Sequence, residues 1–412
     1  MAVHAQPLRR DARVIGLVSV AHMASHFFSL ALPPLFPIFR EEFGVPYVAF
    51  GLLITLFYAT SAIGQATAGF LVDRAGALPV LLGGLTLEAG AVGLGAFATS
   101  YHALLPIAVL AGLGHSVFHP ADYAILNASV GARRLGRGYA AHGICGNLGW
   151  ALAPVFIVGL SGVFGWRIAL LAASGAGFGV ALLLASQRRA FRDHRESAGD
   201  RAARAGTNLA RDARLLLTLP LLSAFAYFAF LATAQVGLQT FMVSALVALY
   251  HAPLGVATGV LTAFLLGSSA GILTGGVVAD RTERHDAVAV GGMLACGAFT
   301  LVVAGAPAPL ALVAPVMACA GFAMGFTAPS RDLLIRGVTP TGASGKVFGF
   351  VYSGLDLGSS TTPVVFGWLL DRGEPRAVFV VAAALMAATA ATVVQLRRPR
   401  VASPEMPPAP GL

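Results

Sequence analysis

Long apolar stretches alternate with short polar segments along most of this chain of 412 residues. Each stretch is long enough for an α-helix to cross the hydrocarbon core of a bilayer, which takes about 20 residues. The first six cover residues 14–38, 47–72, 78–98, 103–130, 138–160 and 167–187, and the second six cover 215–247, 256–279, 288–305, 310–336, 347–370 and 377–396. The pattern predicts an all-α membrane protein with twelve transmembrane helices, numbered spans 1 to 12.

The longest polar segment lies in the middle of the chain and separates two groups of six spans. The predicted domains are an N-terminal segment (1–13), a six-helix bundle (14–187), a linker (188–214), a second bundle (215–396) and a disordered tail (397–412). The linker is rich in arginine and poor in large apolar residues, which favours a solvated connection. An amphipathic helix that binds lipid headgroups is the alternative.

The composition supports a membrane protein, because 57% of the residues are hydrophobic and only 11% are charged. A net charge of +9 could indicate a nucleic-acid partner, so the location of the charge decides its meaning. Of the 27 Lys and Arg residues, 22 fall in the two tails and in loops on the same side of the predicted bilayer. This bias places both termini in the cytoplasm. We predict a multi-pass protein of a bacterial-type inner (plasma) membrane, without a nucleic-acid partner.

The two groups of spans are related by an internal repeat. A segment from Gly69 to Gly76 closes span 2, and a similar segment that starts at Gly276 closes span 8, 207 positions later. Two further matches at offsets of 207 and 209 pair Phe57 with Phe264 and Gly112 with Gly321. Parallel repeats are typical of one large group of secondary transporters, whose substrate site lies between the halves. The chain is therefore predicted to form two pseudo-symmetric bundles.

At these segments the chain resembles the major facilitator superfamily. The loop after span 2 matches the family signature, and the loop after span 8 carries a weaker copy; the matching residues are Gly69, Leu71, Asp73, Arg74, Gly76, Gly276, Asp280 and Arg281. The resemblance implies alternating access, with these segments forming a cytoplasmic gate. It also implies that spans 3, 6, 9 and 12 lie outside, while the other eight line a central cavity. We assign Asp122 and Asp332, at the same end of the cavity, to the gate as well.

Polar side chains inside the spans identify candidate cavity residues, because each ionisable group at bilayer depth costs on the order of 2.5–3.5 kcal/mol on insertion scales. Nearly all of them fall on spans that the resemblance places around the cavity. His22 and His26, and likewise His115 and His119, are spaced four residues apart and so share a helix face. The complete predicted set is His22, His26, His115, His119, Asn147, Gln235, Gln239, Arg331 and Tyr352; His142 also lies within span 5.

Histidines at this spacing have more than one interpretation. Hydrogen bonding between helices is the structural alternative to a transport role. A metal site is the less favoured one, because neither pair has a third ligand on its own helix. The sequence therefore predicts neither a bound metal nor a cofactor. Glu88 is an exception, since it lies in span 3, which the resemblance places at the periphery, and it is assigned no transport role.

Asp356 is the predicted proton-coupling residue. The repeat aligns it with Asn147, so one half carries a titratable carboxyl where the other carries a neutral amide. His26 and His115 are candidates to share the proton, because imidazole titrates near neutral pH. The alternatives are that Asp356 hydrogen-bonds Tyr352, caps a local helix break or contacts substrate directly.

Arg331 is expected to pair with Asp332 or with Asp122, since an unpaired arginine at this depth is costly. Its planar guanidinium also suits a carboxylate or phosphonate group on a substrate.

Gly112 to Pro120 resembles span 4 of the fosmidomycin-resistance branch of the same superfamily, which exports small anionic or amphiphilic compounds. We therefore predict a monomeric secondary transporter that carries a small organic solute outward in exchange for protons. Proton-coupled uptake of a small organic anion is the alternative. A membrane enzyme or a receptor is disfavoured, and the segment around Lys346 lacks the spacing of a phosphate-binding loop.

Overall fold

A computed structural model describes residues 8–191, 216–305, 309–338 and 344–396. Every regular element in these ranges is an α-helix or a short 3-10 helix. Most of the predicted N-terminal segment 1–13, most of the linker and the tail 397–412 lie outside the described residues.

Most spans are single helices. They are Tyr47–Ala75 (span 2), Ala77–Gly95 (3), Ala132–Phe164 (5), Trp166–Ser186 (6), Leu219–Tyr250 (7), Leu254–Ala279 (8), His285–Ala304 (9), Leu310–Val338 (10), Ser344–Asp371 (11) and Pro375–Thr392 (12). Among the described residues, eleven spans are long and apolar enough to cross a membrane. Span 11 has 28 residues but a more polar middle. The prediction of twelve transmembrane helices in two bundles is confirmed.

Two spans are interrupted, and both interruptions have a local cause. Span 1 consists of Leu8–Ser29, a 3-10 turn at Pro33–Leu35 and Phe36–Phe43, because consecutive prolines cannot continue an α-helix. Span 4 breaks between Tyr101–His115 and Phe118–Ser129. Pro120 lies in the first turn of the second piece, where its missing N–H would be unpaired anyway. This break puts one histidine at the end of the first piece and another at the start of the second.

Glycines let the helices within each half approach to backbone contact. A Cβ on Gly112 would overlap the carbonyl oxygen of Phe57, and a Cβ on Gly321 would overlap that of Phe264. These are the residues that the repeat aligns, so spans 2 and 4 pack as spans 8 and 10 do. Only small residues permit this distance between helices.

Most of the described polar contacts between the halves lie on one face of the protein. We name the face where the chain enters span 1 the terminal face, and the other one the far face. On the far face, Asp371 of span 11 accepts hydrogen bonds from the amides of Tyr47 and Val48 at 2.8 Å each, and Arg40 Nη1 lies 3.4 Å from the same carboxylate. Deeper in the same interface, Thr55 Oγ1 donates to the Ser360 carbonyl at 2.6 Å.

The predicted gate at the terminal face is not formed in this conformation. Arg74, Asp280 and Arg281 are exposed and Asp73 is half-buried. Within the described part of the chain, none of the four makes an ion pair or a hydrogen bond through its side chain. The halves are joined at the far face instead, so contacts across the terminal face stay a prediction for the opposite conformation.

The close contact between spans 2 and 11 generates a test of the far-face closure. A Cβ on Gly51 would overlap the Pro363 carbonyl oxygen of the other half, whereas nothing lies within 4 Å of a Cβ on Gly69 in the same span. We expect Gly51→Ala to disfavour this conformation by about 1–3 kcal/mol, the usual cost of overpacking. Spin labels attached at Ser100→Cys and Arg376→Cys, in a protein that lacks the three native cysteines, report the distance between the halves at the far face. Gly51→Ala should increase the distance between the two labels, whereas Gly69→Ala should leave it unchanged. Equal distances in both variants would contradict the assignment.

Candidate transport site

Five histidines of the first half converge in one cluster. They are His22 and His26 of span 1, His115 and His119 of span 4, and His142 of span 5. The rings of His22 and His142 are stacked with their centroids 3.5 Å apart, and the centroid of His22 lies 4.4 Å from that of His26 and 5.2 Å from that of His119. The four-residue spacing aligns His22 and His26 on span 1, whereas span 4 is interrupted between His115 and His119; tertiary packing then brings the two pairs together.

Glycine at position 146 makes room for the span 1 histidines. A Cβ there would lie 2.9 Å from both His26 Nδ1 and His22 Cδ2. His26 also packs against Trp150, with the ring centroids 4.2 Å apart, and lies 6.4 Å from His115 by the same measure. Span 5 therefore presents small residues to the histidines of span 1 and an indole ring beside them.

Asp122 lies under this cluster and is fully buried. Its Oδ2 accepts a hydrogen bond from His142 Nε2 at 3.0 Å, and His22 Nδ1 lies 3.2 Å from the same oxygen without hydrogen-bond alignment. Four buried polar atoms of the cluster have no hydrogen-bond partner among the described residues: His22 Nδ1, His26 Nδ1, His119 Nδ1 and Asp122 Oδ1. Each such atom costs about 1–3 kcal/mol, so the protein groups alone satisfy the cluster poorly.

Glu88 forms the second acidic contact of the cluster. It is fully buried, and its Oε1 lies 3.1 Å from His115 Nδ1. Glu88 was predicted to have no transport role because span 3 was placed at the periphery. In the structure, Glu88 contacts a predicted cavity residue, His115. The close packing at Gly114, where a Cβ would lie 2.7 Å from the Glu88 amide nitrogen, brings spans 3 and 4 together. The signals for this contact in the sequence were a carboxyl within an apolar span and a glycine beside a histidine.

Asp356 approaches the cluster from the other half. Its half-buried carboxyl is close enough to His115 to interact with it electrostatically. The carboxyl has no hydrogen bond among the described residues, so the alternative in which Asp356 bonds Tyr352 is not observed. Asn147, its counterpart in the repeat, instead donates to the Gly143 carbonyl of its own helix at 3.1 Å.

Arg331 pairs with its neighbour in the second half. Its Nε donates to Asp332 Oδ1 at 2.9 Å, and its guanidinium carbon lies 4.8 Å from the centroid of the Phe228 ring. Of the two expected partners the structure therefore shows Asp332, while Asp122 is held by His142. Neither acid contacts a gate residue of the opposite half in this conformation.

The remaining predicted residues, Tyr352, Gln235 and Gln239, lie in the second half. Tyr352 is near enough to Arg331 and Asp332 to interact electrostatically with both. Gln239 is buried, and its Nε2 has no hydrogen-bond partner in the described chain. Gln235, four residues earlier on span 7, is half-buried. The predicted cavity residues therefore combine an imidazole and carboxylate cluster in one half with a cation and amides in the other.

Removal of the Asp122 carboxylate should destabilise the first half. We expect Asp122→Ala to lower the free energy of unfolding by about 1–3 kcal/mol, because His142 Nε2 would be buried without an acceptor. Asp122→Asn keeps an acceptor oxygen of the same shape and should lose much less. Thermal unfolding midpoints in detergent compare the two variants, at roughly 2–4 °C per kcal/mol. Equal midpoints for the wild type and Asp122→Ala would show that the contact contributes nothing.

Comparison with known proteins agrees with this architecture. The Major Facilitator Superfamily profile matches residues 18–260 and 228–411. The chain is 25% identical to the fosmidomycin resistance protein of Escherichia coli (strain K12) over 389 residues, 92% of this chain and 91% of the relative. It is 32% identical over 162 residues to a multidrug resistance protein B homolog of Mycobacterium tuberculosis (strain ATCC 25618 / H37Rv), which is 39% of this chain and 29% of that protein.

Solved structures share the fold. A bacterial homolog of the human lysosomal transporter Spinster, in an inward-facing and unoccupied conformation, superimposes with a TM-score of 0.70 at 15% identity and covers 95% of both chains. Its occupied form gives a TM-score of 0.68 at the same identity and coverage. Profile, relative and fold agree with the duplicated motif and the polar cavity. This chain belongs to the Major Facilitator Superfamily and is a membrane transporter, not an enzyme.

Proposed function

We propose that this transporter exports a small organic solute from the cytoplasm in exchange for protons. The observation that carries the proposal is the position of Asp356. This carboxyl of the second half interacts with His115 of the first half, and His115 in turn contacts the buried Glu88. Titratable groups of the two halves therefore interact across the predicted cavity, and we expect rocking of the halves to change their separation.

The coupling follows from this separation. A proton shared between a carboxyl and an imidazole is stabilised by their proximity, and water that enters the cavity competes for each group. When the halves rock, the distance between Asp356 and His115 and their exposure to water change together. The affinity for the proton then differs between the two conformations, which is the requirement for coupling a proton gradient to transport. His26 completes the relay as a neighbouring imidazole.

Two features support the outward direction. Both named relatives are resistance proteins, and removal of a toxic compound from the cell is one way to confer resistance. The segment from Phe118 to Pro120 also resembles the fosmidomycin-resistance branch of the superfamily.

The excess of basic residues in the tails and in the loops of the terminal face supports a cytoplasmic location for that face. Asp73 and Asp280 would then close the cytoplasmic side in the opposite conformation, which reduced cysteine accessibility at that side would reveal.

The second half supports an anionic substrate with an apolar portion. The guanidinium of Arg331 is only 16% exposed and contacts a single carboxylate, that of Asp332, which is itself 46% exposed. A substrate carboxylate or phosphonate could replace Asp332, because the planar guanidinium binds such groups through two parallel hydrogen bonds. The ring of Tyr352, which is 37% exposed and packs on the buried ring of Phe228 with the centroids 4.8 Å apart, offers an apolar surface beside it.

Asp356→Asn in proteoliposomes tests the coupling. The amide keeps the size of the side chain but cannot carry the proton, so transport driven by a pH gradient should fall by at least about tenfold. Counterflow exchange, which needs no gradient, should continue. Glu283→Gln removes an exposed carboxyl of the same half and is the matched control. Gradient-driven transport at the wild-type rate in Asp356→Asn would exclude Asp356 as the coupling site, and transport only into the cytoplasm would exclude export.

Arg331→Lys tests the substrate class. Lysine keeps the charge but loses the planar fork, so half-saturation of counterflow by an anionic solute should require a concentration about tenfold higher or more, equivalent to about 1.4 kcal/mol. Arg336→Lys changes an exposed arginine of the same span and should leave half-saturation unchanged. Half-saturation that is equal in the two variants would show that Arg331 does not bind the anion.

A further inference from the structure

We propose that His22, His119 and His142 bind a divalent transition-metal ion of the Zn²⁺ class within the first half. Each of these side chains offers a ligand atom, and the three atoms lie within 4.8 Å of one another. They come from three different helices, so no sequence spacing connects them. This metal site is independent of the proposed export, because the ion can bind at equilibrium whether or not the protein transports a solute and in whichever direction it does so.

The donor set fits this class of ion. Neutral imidazole nitrogen suits Zn²⁺, Co²⁺ and Ni²⁺, whereas Mg²⁺ and Ca²⁺ prefer oxygen. Three histidines around one open position form a known zinc arrangement, with Zn–N distances of about 2.0–2.1 Å. Nitrogen atoms in such a tetrahedral site are about 3.3 Å apart. The three rings must therefore close inward by roughly 1.5 Å at most, which side-chain rotation can supply.

Asp122 occupies the position of a supporting carboxylate. It lies 3.0 Å from His142 Nε2 and 3.2 Å from His22 Nδ1, behind two of the three imidazoles. In metal sites of histidine, a carboxylate at this place accepts the proton of one ring nitrogen, orients the ring and makes the other nitrogen a better ligand. Its negative charge would also balance part of the charge of the ion.

The hydrogen bonds of the described residues leave several polar atoms of this cluster without a partner. Nδ1 of His119 and Oδ1 of Asp122 are buried and have no hydrogen-bond partner within the described residues, and Nδ1 of His22 faces Asp122 without forming a hydrogen bond. One cation can accept a lone pair from each of three imidazoles at once. Asp122 then accepts a hydrogen bond from the ring nitrogen that does not bind the ion. The contact between Glu88 and His115 involves none of the three ligand residues.

Co²⁺ binding to the purified full-length chain tests the site. The protein carries an affinity tag without histidine, is kept in detergent, and is stripped of metal with a chelator before titration. We expect one Co²⁺ per chain, with the visible absorption bands of tetrahedral Co²⁺, and loss of these bands when Zn²⁺ is added. His119→Asn and His142→Asn should abolish the bands, while His102→Asn, which changes an exposed histidine outside the cluster, should keep them.

Two results would overturn the proposal: a wild-type protein that gives no visible bands, or cluster variants that keep wild-type affinity for Co²⁺. If the histidine variants do not fold, the Co²⁺ affinity of Asp122→Asn tests the site instead, because the asparagine keeps the shape of the hydrogen-bond acceptor. Its affinity for Co²⁺ should fall about 10- to 100-fold, and an unchanged affinity would also overturn the site. Asp356→Asn should bind Co²⁺ like the wild type, so a failure of proton coupling stays separate from a failure of metal binding.

Discussion

The structure depends on the absence of water from the bilayer core, which leaves buried polar groups only protein partners or the central cavity. In the first half, five histidines and two carboxylates meet this constraint together instead of each finding a separate partner. His115 contacts Glu88 and His142 contacts Asp122, while several ring nitrogens stay unpaired. A cluster that is only partly satisfied is costly, and protons, an ion or a substrate can complete it. The same groups that are expensive in an apolar medium are therefore the ones available for transport.

Backbone contact through glycine turns each half into a compact unit. Gly112 meets Phe57 in the first half as Gly321 meets Phe264 in the second, so the repeat preserves packing as well as sequence. Between the halves, the carboxylate of Asp371 binds the first amides of span 2. Those amides have no partner within their own helix, and the helix dipole favours a negative charge there. A few such polar contacts can break when the halves rock, whereas the tightly packed interior of each half moves as one body.

The cavity carries three kinds of chemistry at separate places. Titratable groups meet across the halves at His115 and Asp356, a guanidinium beside aromatic rings lies in the second half, and three imidazoles converge in the first. In the proposed mechanism the proton is held between the halves, at Asp356 and His115, while an anionic solute binds Arg331 of the second half, so movement of the halves changes the proton site directly. A metal ion at the three histidines would add positive charge to the first half. Different residues carry each of the three, so single substitutions can address them one at a time.

The sequence by itself determined the twelve spans, the two related halves and the side chains that had to avoid lipid. These features follow from patterns along the chain, since span length and four-residue spacing are read within one helix and the repeat offset is read between the two groups of spans. Tertiary structure decided which helices present their polar faces to one another. The packing of the helices brought His142 to the pair on span 1 and Glu88 to His115. It also paired Arg331 with Asp332, while Asp122 bound His142. The physical reason is that periodicity fixes which residues share a face of one helix, whereas the rotation and depth of that helix against its neighbours depend on close packing at residues such as Gly114 and Gly146.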